Sequence, residues 1–579
     1  MLDAGRGSRV GGSAARAARL LLAFACAALA APGPARSAPP AAPVEAARGL
    51  VVASQADAAR VGAAIFEQGG NAIDAAVATA MALSVTQPFS AGLGGGFFAL
   101  VRTDEGELVA LDARETAPAA ADRDMYLRPG VAKDASVLGP LAVATPGFAL
   151  GMAQLQKGYG KLPWAEVVAP AIRLAEQGFE TGYYHAEVLR GLRARGFEAR
   201  FPETARIQFP PAGEPIRPGQ RVVQPDLARA LRLLAEQGPD VATKGEIAEK
   251  IAAEMKRQGG LVTREDLAGY RTKRREPVRG SYRGFEVVSF PPPSSGGAVL
   301  VQALNVLEGF ELAKLAPASP EEVHLVVEAM KLAFADRAAW LGDPDFVAVP
   351  VAKLTSKEYA AELRARIRPD GPAMKVTGSG LPAQDTGTTH LSTADAAGNA
   401  VALTMTINTP FGSGITVPGT GIVLNNEMDD FAKAPDVPNV YGLVDTRGAN
   451  AIAPGKRPLS SMTPTILLRG GRPFMVTGSP GGPRIISTTL LTILAVVDHA
   501  ANARDAVAAA RYHHQWIPDH VSLEPGIPEP VAKGLRARGH EVERAKTAWS
   551  SAQVIVVDPK TDRMSGGSDP RGDGIAAGE

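Results

Sequence analysis

Asp385-Thr386-Gly387-Thr388-Thr389-His390-Leu391-Ser392-Thr393-Ala394-Asp395 runs through Ala396-Ala397-Gly398-Asn399 into Ala400-Val401-Ala402-Leu403-Thr404-Met405-Thr406-Ile407-Asn408. Two alternating arms around a short polar turn predict a β-hairpin. Asp395 at the first turn position and Gly398 at the fourth fit a type I turn closed by a left-handed residue, as in bulged hairpins. With Asp395 opposite Asn399, Thr393 faces Val401 and Thr388 faces Thr406. The period of two sends Val401, Leu403, Met405 and Ile407 to one face. Thr388, His390 and Ser392 share the other face with Thr404, Thr406 and Asn408.

Thr388 therefore has a threonine hydroxyl and an asparagine amide beside it. A hydroxyl is a weak nucleophile without an adjacent base. Cleavage of the Gly387–Thr388 bond would create an α-amine, titrating near ~7.7, on the same residue as the hydroxyl. One threonine would then serve as nucleophile and base. The residues alone favour an ordinary half-buried hairpin, because β-branched side chains suit strands.

Composition sets outer limits. The chain has 579 residues, 45% hydrophobic and 21% charged, which suits a globular protein with a sizeable core. A formal net charge of +1 gives no general attraction to nucleic acid or an anionic membrane surface, and no basic run is interleaved with aromatics. At the N-terminus Arg6, Arg9, Arg16 and Arg19 precede the apolar run from Leu20 to Ala30, which ends in Ala28-Leu29-Ala30. That pattern reads as a signal peptide over residues 1–30, too short for an ordinary membrane span. A Pro/Ala-rich leader follows, over residues 31–48. The single cysteine, Cys26, lies in the signal, so the mature chain has no disulfide and no thiol nucleophile. Export without disulfides points to a bacterial periplasm or the medium.

Farther along, Asp57 to Val85 is helical in pattern with a break at Gly69-Gly70-Asn71. Gly94-Gly95-Gly96 precedes a strand over Phe97 to Arg102, with a partner over Leu108 to Asp112. Further helices are expected around Pro170 to Gln177, Leu227 to Gln237, Lys244 to Gln258 and Pro320 to Ala339. Strands are expected at Pro473 to Thr477 and Val554 to Asp558. Arg368 to Gly387 lacks periodicity and reads as an exposed linker that could release a cut end. His513-His514 invites a metal reading, but neighbours on an extended segment point apart and no Cys or carboxylate spacing completes a site.

Several motifs in one order resemble the γ-glutamyltransferase (γ-glutamyl transpeptidase) family of N-terminal-nucleophile hydrolases. They are Gly69-Gly70-Asn71-Ala72-Ile73-Asp74-Ala75-Ala76, Gly94-Gly95-Gly96, Leu111-Asp112-Ala113-Arg114-Glu115 and Pro291-Pro292-Pro293-Ser294-Ser295-Gly296-Gly297. After Thr388-Thr389-His390 come Leu424-Asn425-Asn426-Glu427-Met428-Asp429-Asp430-Phe431, Arg457-Pro458-Leu459-Ser460-Ser461-Met462 and Gly478-Ser479-Pro480-Gly481-Gly482. The resemblance runs from Gly49 to Pro570.

It implies an α+β fold, a four-layer αββα sandwich, and a precursor that cuts itself before Thr388. The large subunit, residues 49–387, and the small subunit, 388–579, would stay together as one domain. It further implies Thr388 as nucleophile, Thr406 as its hydrogen-bond partner and the Gly481 and Gly482 N–H groups as the oxyanion hole. Arg114 with Ser460 and Ser461 would hold the substrate α-carboxylate, a match for a guanidinium fork. Asn408, Glu427 and Asp430 would accept from its α-ammonium. Pro435 to Gly442, with Tyr441, resembles a lid. The position of Gly387 tolerates other residues in the family. Glutathione and other γ-glutamyl compounds are the implied substrates, with water, an amino acid or a dipeptide as acceptor, and no cofactor or metal is implied.

Other readings stand beside these. Arg114 and Glu115 could form a surface ion pair, Asp429-Asp430 could cap a turn, and Ser460-Ser461 could be loop punctuation. Asp112 and Glu115 read as solvated or structural. Two alternatives keep other functions open: a related amidase such as a cephalosporin acylase or poly-γ-glutamate processing enzyme, and an uncleaved binding protein.

Overall fold

The Gly69-Gly70-Asn71 break is a helix stop followed by a helix start. The first helix, Ala56–Glu67, ends there, and Asn71 caps the second, Ala72–Thr86, in a reciprocal box with Asp74. The second helix is buried all round, as its Ala-rich sequence permits. The computed structural model describes residues 42–211, 213–377 and 387–579. The signal peptide and the leader as far as residue 41 lie outside the described residues. Val44–Ala46 already forms a strand paired with 564–566, so folded structure begins inside the stretch read as leader.

Two seven-stranded sheets carry the fold. One has the order Ile575–Gly578, Gly49–Ala53, Thr388–Asp395, Ala400–Thr406, Gly96–Arg102, Leu108–Ala113, Lys273–Arg275. The other runs Val44–Ala46, Met564–Ser568, Gln553–Val557, Arg472–Gly478, Thr465–Arg469, Phe285–Ser289, Val278–Tyr282. Helices Ala56–Glu67 and Ala72–Thr86 cover the outer face of the first. Gly296–Leu307 and Arg484–Val497 cover the second, with Pro320–Trp340 packed on Gly296–Leu307. Between the sheets lies an apolar layer including Leu50, Val52, Phe98, Phe290, Ile466 and Ile555, where the Phe98 and Phe290 rings stack at 4.1 Å. The architecture is the four-layer αββα sandwich of N-terminal-nucleophile hydrolases.

The hairpin has the register read from its turn. Thr388 pairs with Thr406 and Thr393 with Val401, and Asp395 N–H donates to Asn399 O at 3.0 Å. Its side chains split as the period of two requires. Val401, Leu403 and Met405 join the core under the helices, whereas His390 bonds Thr404 at 2.8 Å and Ser392 reaches Gln553 O of the opposite sheet at 3.1 Å. The half-buried alternative is wrong: Thr388 to Ala394 and Ala400 to Thr406 are all buried. The strands sit mid-sheet with a layer on each face.

The remaining elements hold within a few residues. Pro170 to Gln177 is the end of Trp164–Gln177, and the Lys244 to Gln258 stretch is Glu246–Gln258 preceded by a short turn, Asp240–Thr243. The linker is a correction in part. Residues 378–386 lie outside the described residues, but Arg368 to Val376 is tied down: Met374 N–H donates to Glu328 at 2.9 Å, Lys331 Nζ donates to Met374 O at 2.8 Å, and Val376 N–H donates to Asp519 at 2.9 Å.

Candidate active site

Thr388 is the first residue of its strand and Thr406 the last of the partner, so the pairing ends with two hydroxyls side by side. Their Oγ1 atoms are 3.0 Å apart, and Thr388 is 8% exposed. Thr406 Oγ1 donates to the Gly387 carbonyl at 3.2 Å and accepts the Asn408 N–H at 2.8 Å. A hydroxyl has one proton, so Thr406 must accept from Thr388. The arrangement polarises the Gly387 carbonyl and gives the Thr388 proton a destination. Gly387 itself has φ +66°, and a Cβ there would fall 2.1 Å from Asn408 O. The expected tolerance at this position does not apply to this chain, because the tight approach needs glycine.

Arg114, Thr388, Thr406, Asn408, Asp430, Tyr441, Ser460, Ser461 and Gly482 line one narrow pocket. Gly481 precedes Gly482, and both sit just before the helix Arg484–Val497, whose N-terminal end is electropositive. Among the described residues neither glycine N–H has an acceptor. Over the pocket, Tyr441 OH donates to Asn408 O and Oδ1, each at 2.7 Å, and Val440 N–H is held by Asp429 at 2.8 Å.

Arg114 follows the strand Leu108–Ala113 and is 1% exposed. The turn of 3₁₀ helix Glu427–Asp430 brings its first and last residues to the same side. Arg114 Nη1 lies 2.6 Å from Glu427 and 3.7 Å from Glu115, Nη2 bonds Asp430, and Nε donates to Pro458 O at 3.3 Å. Glu427 is close without hydrogen-bond alignment; neither its oxygens nor those of Glu115 have a hydrogen-bond partner among the described residues. The surface ion pair is thus excluded, since Arg114 and Glu115 are both buried. Asp112 is not solvated either. It is fully buried, accepts Arg114 N–H at 3.0 Å and pairs with Arg275 and Arg457.

A family model described as gamma-glutamyltranspeptidase matches residues 58–579. The chain belongs to the gamma-glutamyltranspeptidase family. It is 45% identical to a glutathione hydrolase proenzyme of Escherichia coli (strain K12), over 93% of each chain. It is 41% identical to the acylase ACY 1 proenzyme of Pseudomonas sp. (strain SE83), over 89% of this chain and 91% of that one. Among solved structures, a cephalosporin acylase from Bacillus halodurans superimposes with a TM-score of 0.81 at 33% identity, covering 95% of this chain and 98% of that one. Membership of the gamma-glutamyltranspeptidase family makes the chain an enzyme.

In this member of the gamma-glutamyltranspeptidase family, three carboxyls surround the Arg114 guanidinium at the pocket wall, and Asp430 alone of the three also lines the pocket. Burial raises the pKa of each against the pull of Arg114: Glu427 well above the carboxylate range, Asp430 less far, Glu115 up to about 8. In return the three carboxylates outweigh burial and raise Arg114. His390, buried within the nucleophile strand two residues after Thr388, is pushed down by burial to about 3 and stays neutral.

Sequence reasoning misses Glu115 as a site neighbour because nothing in its sequence context marks burial. It has a testable signature. Between its ordinary value of 4.5 and about 8 the folded chain keeps a proton that the unfolded chain releases, so stability falls as pH rises through that window. Glu115→Gln keeps the shape without the titration. Thermal unfolding of this variant from pH 5 to 9 should show a flatter dependence, with a midpoint at pH 8.5 no lower than the parent's. A steeper fall would contradict the assignment.

At His513-His514, where the sequence invites a metal reading, the arrangement is simpler: His513 bonds Ser487 at 2.9 Å and Gln515 at 3.0 Å, and His514 bonds Asp519 at 3.2 Å. His324, Glu328 and His540 come within ligand reach of one another elsewhere. There Lys331 Nζ, 2.9 Å from Glu328, already supplies the cation.

Proposed function

We propose that the chain is a glutathione hydrolase and γ-glutamyltransferase that cuts itself before Thr388. The observation that carries this is the Thr388–Thr406–Gly387 hydrogen-bond chain at 3.0 and 3.2 Å, facing a pocket that holds both a guanidinium, Arg114, and a carboxyl, Asp430. Thr388 Oγ1 attacks the Gly387 carbonyl carbon while Thr406 donates to its oxygen. The C–N bond breaks, the proton passes to the Thr388 nitrogen, and water hydrolyses the ester. Residues 49–387 and 388–579 become the large and small subunits. The freed α-amine is then the base for the same hydroxyl.

A γ-glutamyl amide binds with its α-carboxylate on Arg114, Ser460 and Ser461 and its α-ammonium on Asn408, Glu427 and Asp430. Arg114 exchanges the Asp430 contact for the substrate carboxylate, and Asp430 turns to the ammonium. Thr388 attacks the γ-carbonyl, the Gly481 and Gly482 N–H groups take the oxyanion, and the amine leaves with the proton. Water resolves the γ-glutamyl ester to glutamate; an amino acid or dipeptide amine gives transfer. The Tyr441 segment acts as lid and limits water. No cofactor or metal enters the scheme.

The likeness to acylases gives a second reading, a cephalosporin amide as substrate. A γ-glutamyl group brings a carboxylate for Arg114 and an ammonium for Asp430, whereas a simple acyl chain brings neither, so the charged pocket favours the γ-glutamyl group. The N-terminal signal pattern, outside the described residues, supports export to the periplasm or medium. No helix among the described residues is long and apolar enough to cross a membrane.

Intact mass and N-terminal sequencing of the purified protein, with release of p-nitroaniline from γ-glutamyl-p-nitroanilide and turnover of glutathione, test the reading together. Two fragments are expected, the shorter starting Thr388-Thr389-His390-Leu391. A single chain would favour a binding protein, and turnover of a cephalosporin amide alone would favour an acylase.

A further inference from the structure

Arg337 projects from the helix Pro320–Trp340 into the layer behind the pocket, and no motif in the sequence singles it out. It is 4% exposed and forms no ion pair among the described residues. Among the described residues its one side-chain hydrogen bond runs from Nε to Ser295 Oγ at 3.1 Å. Ser295 in turn donates twice to the Ser460 carbonyl, from Oγ at 2.7 Å and from N–H at 2.8 Å. Arg337 therefore grips the backbone of a residue that lines the Thr388 pocket.

Arg337 also lines a narrow side space together with Asp430, Leu443, Asp445 and Leu459. Asp430, Leu443 and Leu459 line the Thr388 pocket as well, so the two spaces share a wall. Asp445 is spoken for by the N–H groups of residues 447–450 at 2.8–3.2 Å. Around the expected carboxylate position stand Glu115, Glu427 and Asp430 against Arg114 alone. Of the three, Glu115 keeps its proton at neutral pH and burial holds Glu427 well above its ordinary value, so the carboxyl that bears on an incoming carboxylate is Asp430, which bonds Arg114 and lines the same side space as Arg337. Burial draws Arg337 down only to about 10, so it keeps its charge at neutral pH.

We propose that Arg337 is a positioning residue for the carboxylate end of the substrate: it pins Ser460 through Ser295, and its charge offsets Asp430 beside Arg114. The idea rests on the γ-glutamyl reading of the pocket. Both roles are separable, because Arg337→Lys keeps the charge and Ser295→Ala removes the pin while leaving the charge.

The test uses the mature, cleaved enzyme with γ-glutamyl-p-nitroanilide and with 4-aminobutyryl-p-nitroanilide, which lacks the α-carboxylate. Arg337→Gln should raise KM for the first about tenfold with kcat within about threefold, and the preference over the second should drop by the same factor. Arg337→Lys should hold the preference within about threefold of the parent, and Ser295→Ala should raise KM severalfold with the preference kept. An unchanged KM and preference in Arg337→Gln, or equal losses in the Lys and Gln variants, would overturn the proposal. Should the Gln variant not fold, the other two decide: an unchanged KM in Ser295→Ala or a collapsed preference in Arg337→Lys counts against it. Failure of the parent to turn over any γ-glutamyl amide would instead refute the reading of the pocket.

Discussion

Thr388→Ala is expected to leave one uncut chain and to lower γ-glutamyl turnover by at least about 10⁴-fold. The Cβ that remains has no oxygen, so neither the Gly387 carbonyl nor a substrate carbonyl can be attacked. The hydroxyl is 3.0 Å from Thr406 between the buried arms of the hairpin, and losing it removes one hydrogen bond between two neutral groups, a cost of about 1 kcal/mol. The variant should therefore fold, which makes its inactivity interpretable. Thr388→Ser keeps both oxygen and backbone nitrogen; it should still cut, and retain activity within about tenfold. Thr406→Ala should slow cutting without preventing it, because the Gly387 carbonyl loses its 3.2 Å donor while the nucleophile stays. Gel analysis over hours after purification distinguishes slow from absent processing. Two fragments in Thr388→Ala, or full turnover by its single chain, would falsify the self-processing scheme.

The hairpin is readable because its information is local. Asp395 and Gly398 set the turn, the turn sets the register, and a period of two does the rest. The same sequence could not reveal that both faces are covered, since that depends on Gln553 and Phe290 arriving from far along the chain. Helices such as Ala72–Thr86 are legible for a similar reason: Asn71 and Asp74 cap it within one turn. The pocket residues are reached by motif order rather than by physics, and the pocket holds most of them together. What neither route supplies is the depth of the charge cluster. Glu115 looks like half of a surface pair until the strand Leu108–Ala113 is placed in a sheet and Gly96 leaves room for its carboxylate. Arg337 sits on a helix whose sequence has no single polar stripe, so burial of its guanidinium follows only from the packing of Gly296–Leu307 beside it.

Arg114→Gln should cost both function and fold, with different pH signatures. Removing the fork takes away the bidentate partner of the substrate carboxylate, and kcat/KM for a γ-glutamyl anilide should fall about 10³-fold, chiefly through KM. It also strands Glu115, Glu427 and Asp430 in the interior, a loss of about 3–5 kcal/mol if all must stay ionised. They need not. Burial already raises all three, and without Arg114 they rise further and hold protons in the folded state. Carboxyls with raised folded pKa stabilise at low pH and lose that contribution as pH climbs through the raised values. The variant should accordingly come nearest the parent's stability around pH 5 and fall progressively behind toward pH 9. Arg114→Lys separates the two effects. Its ammonium keeps the positive charge among the carboxyls, so most of the stability should return at pH 8, whereas a point charge cannot replace the planar fork and KM should stay at least about tenfold high. Thermal unfolding at pH 5, 7 and 9 with steady-state kinetics on the same samples reads both. A Gln variant that tracks the parent's stability across that range would mean that the carboxyls are balanced by something other than Arg114, and Arg337 would be the first residue to examine.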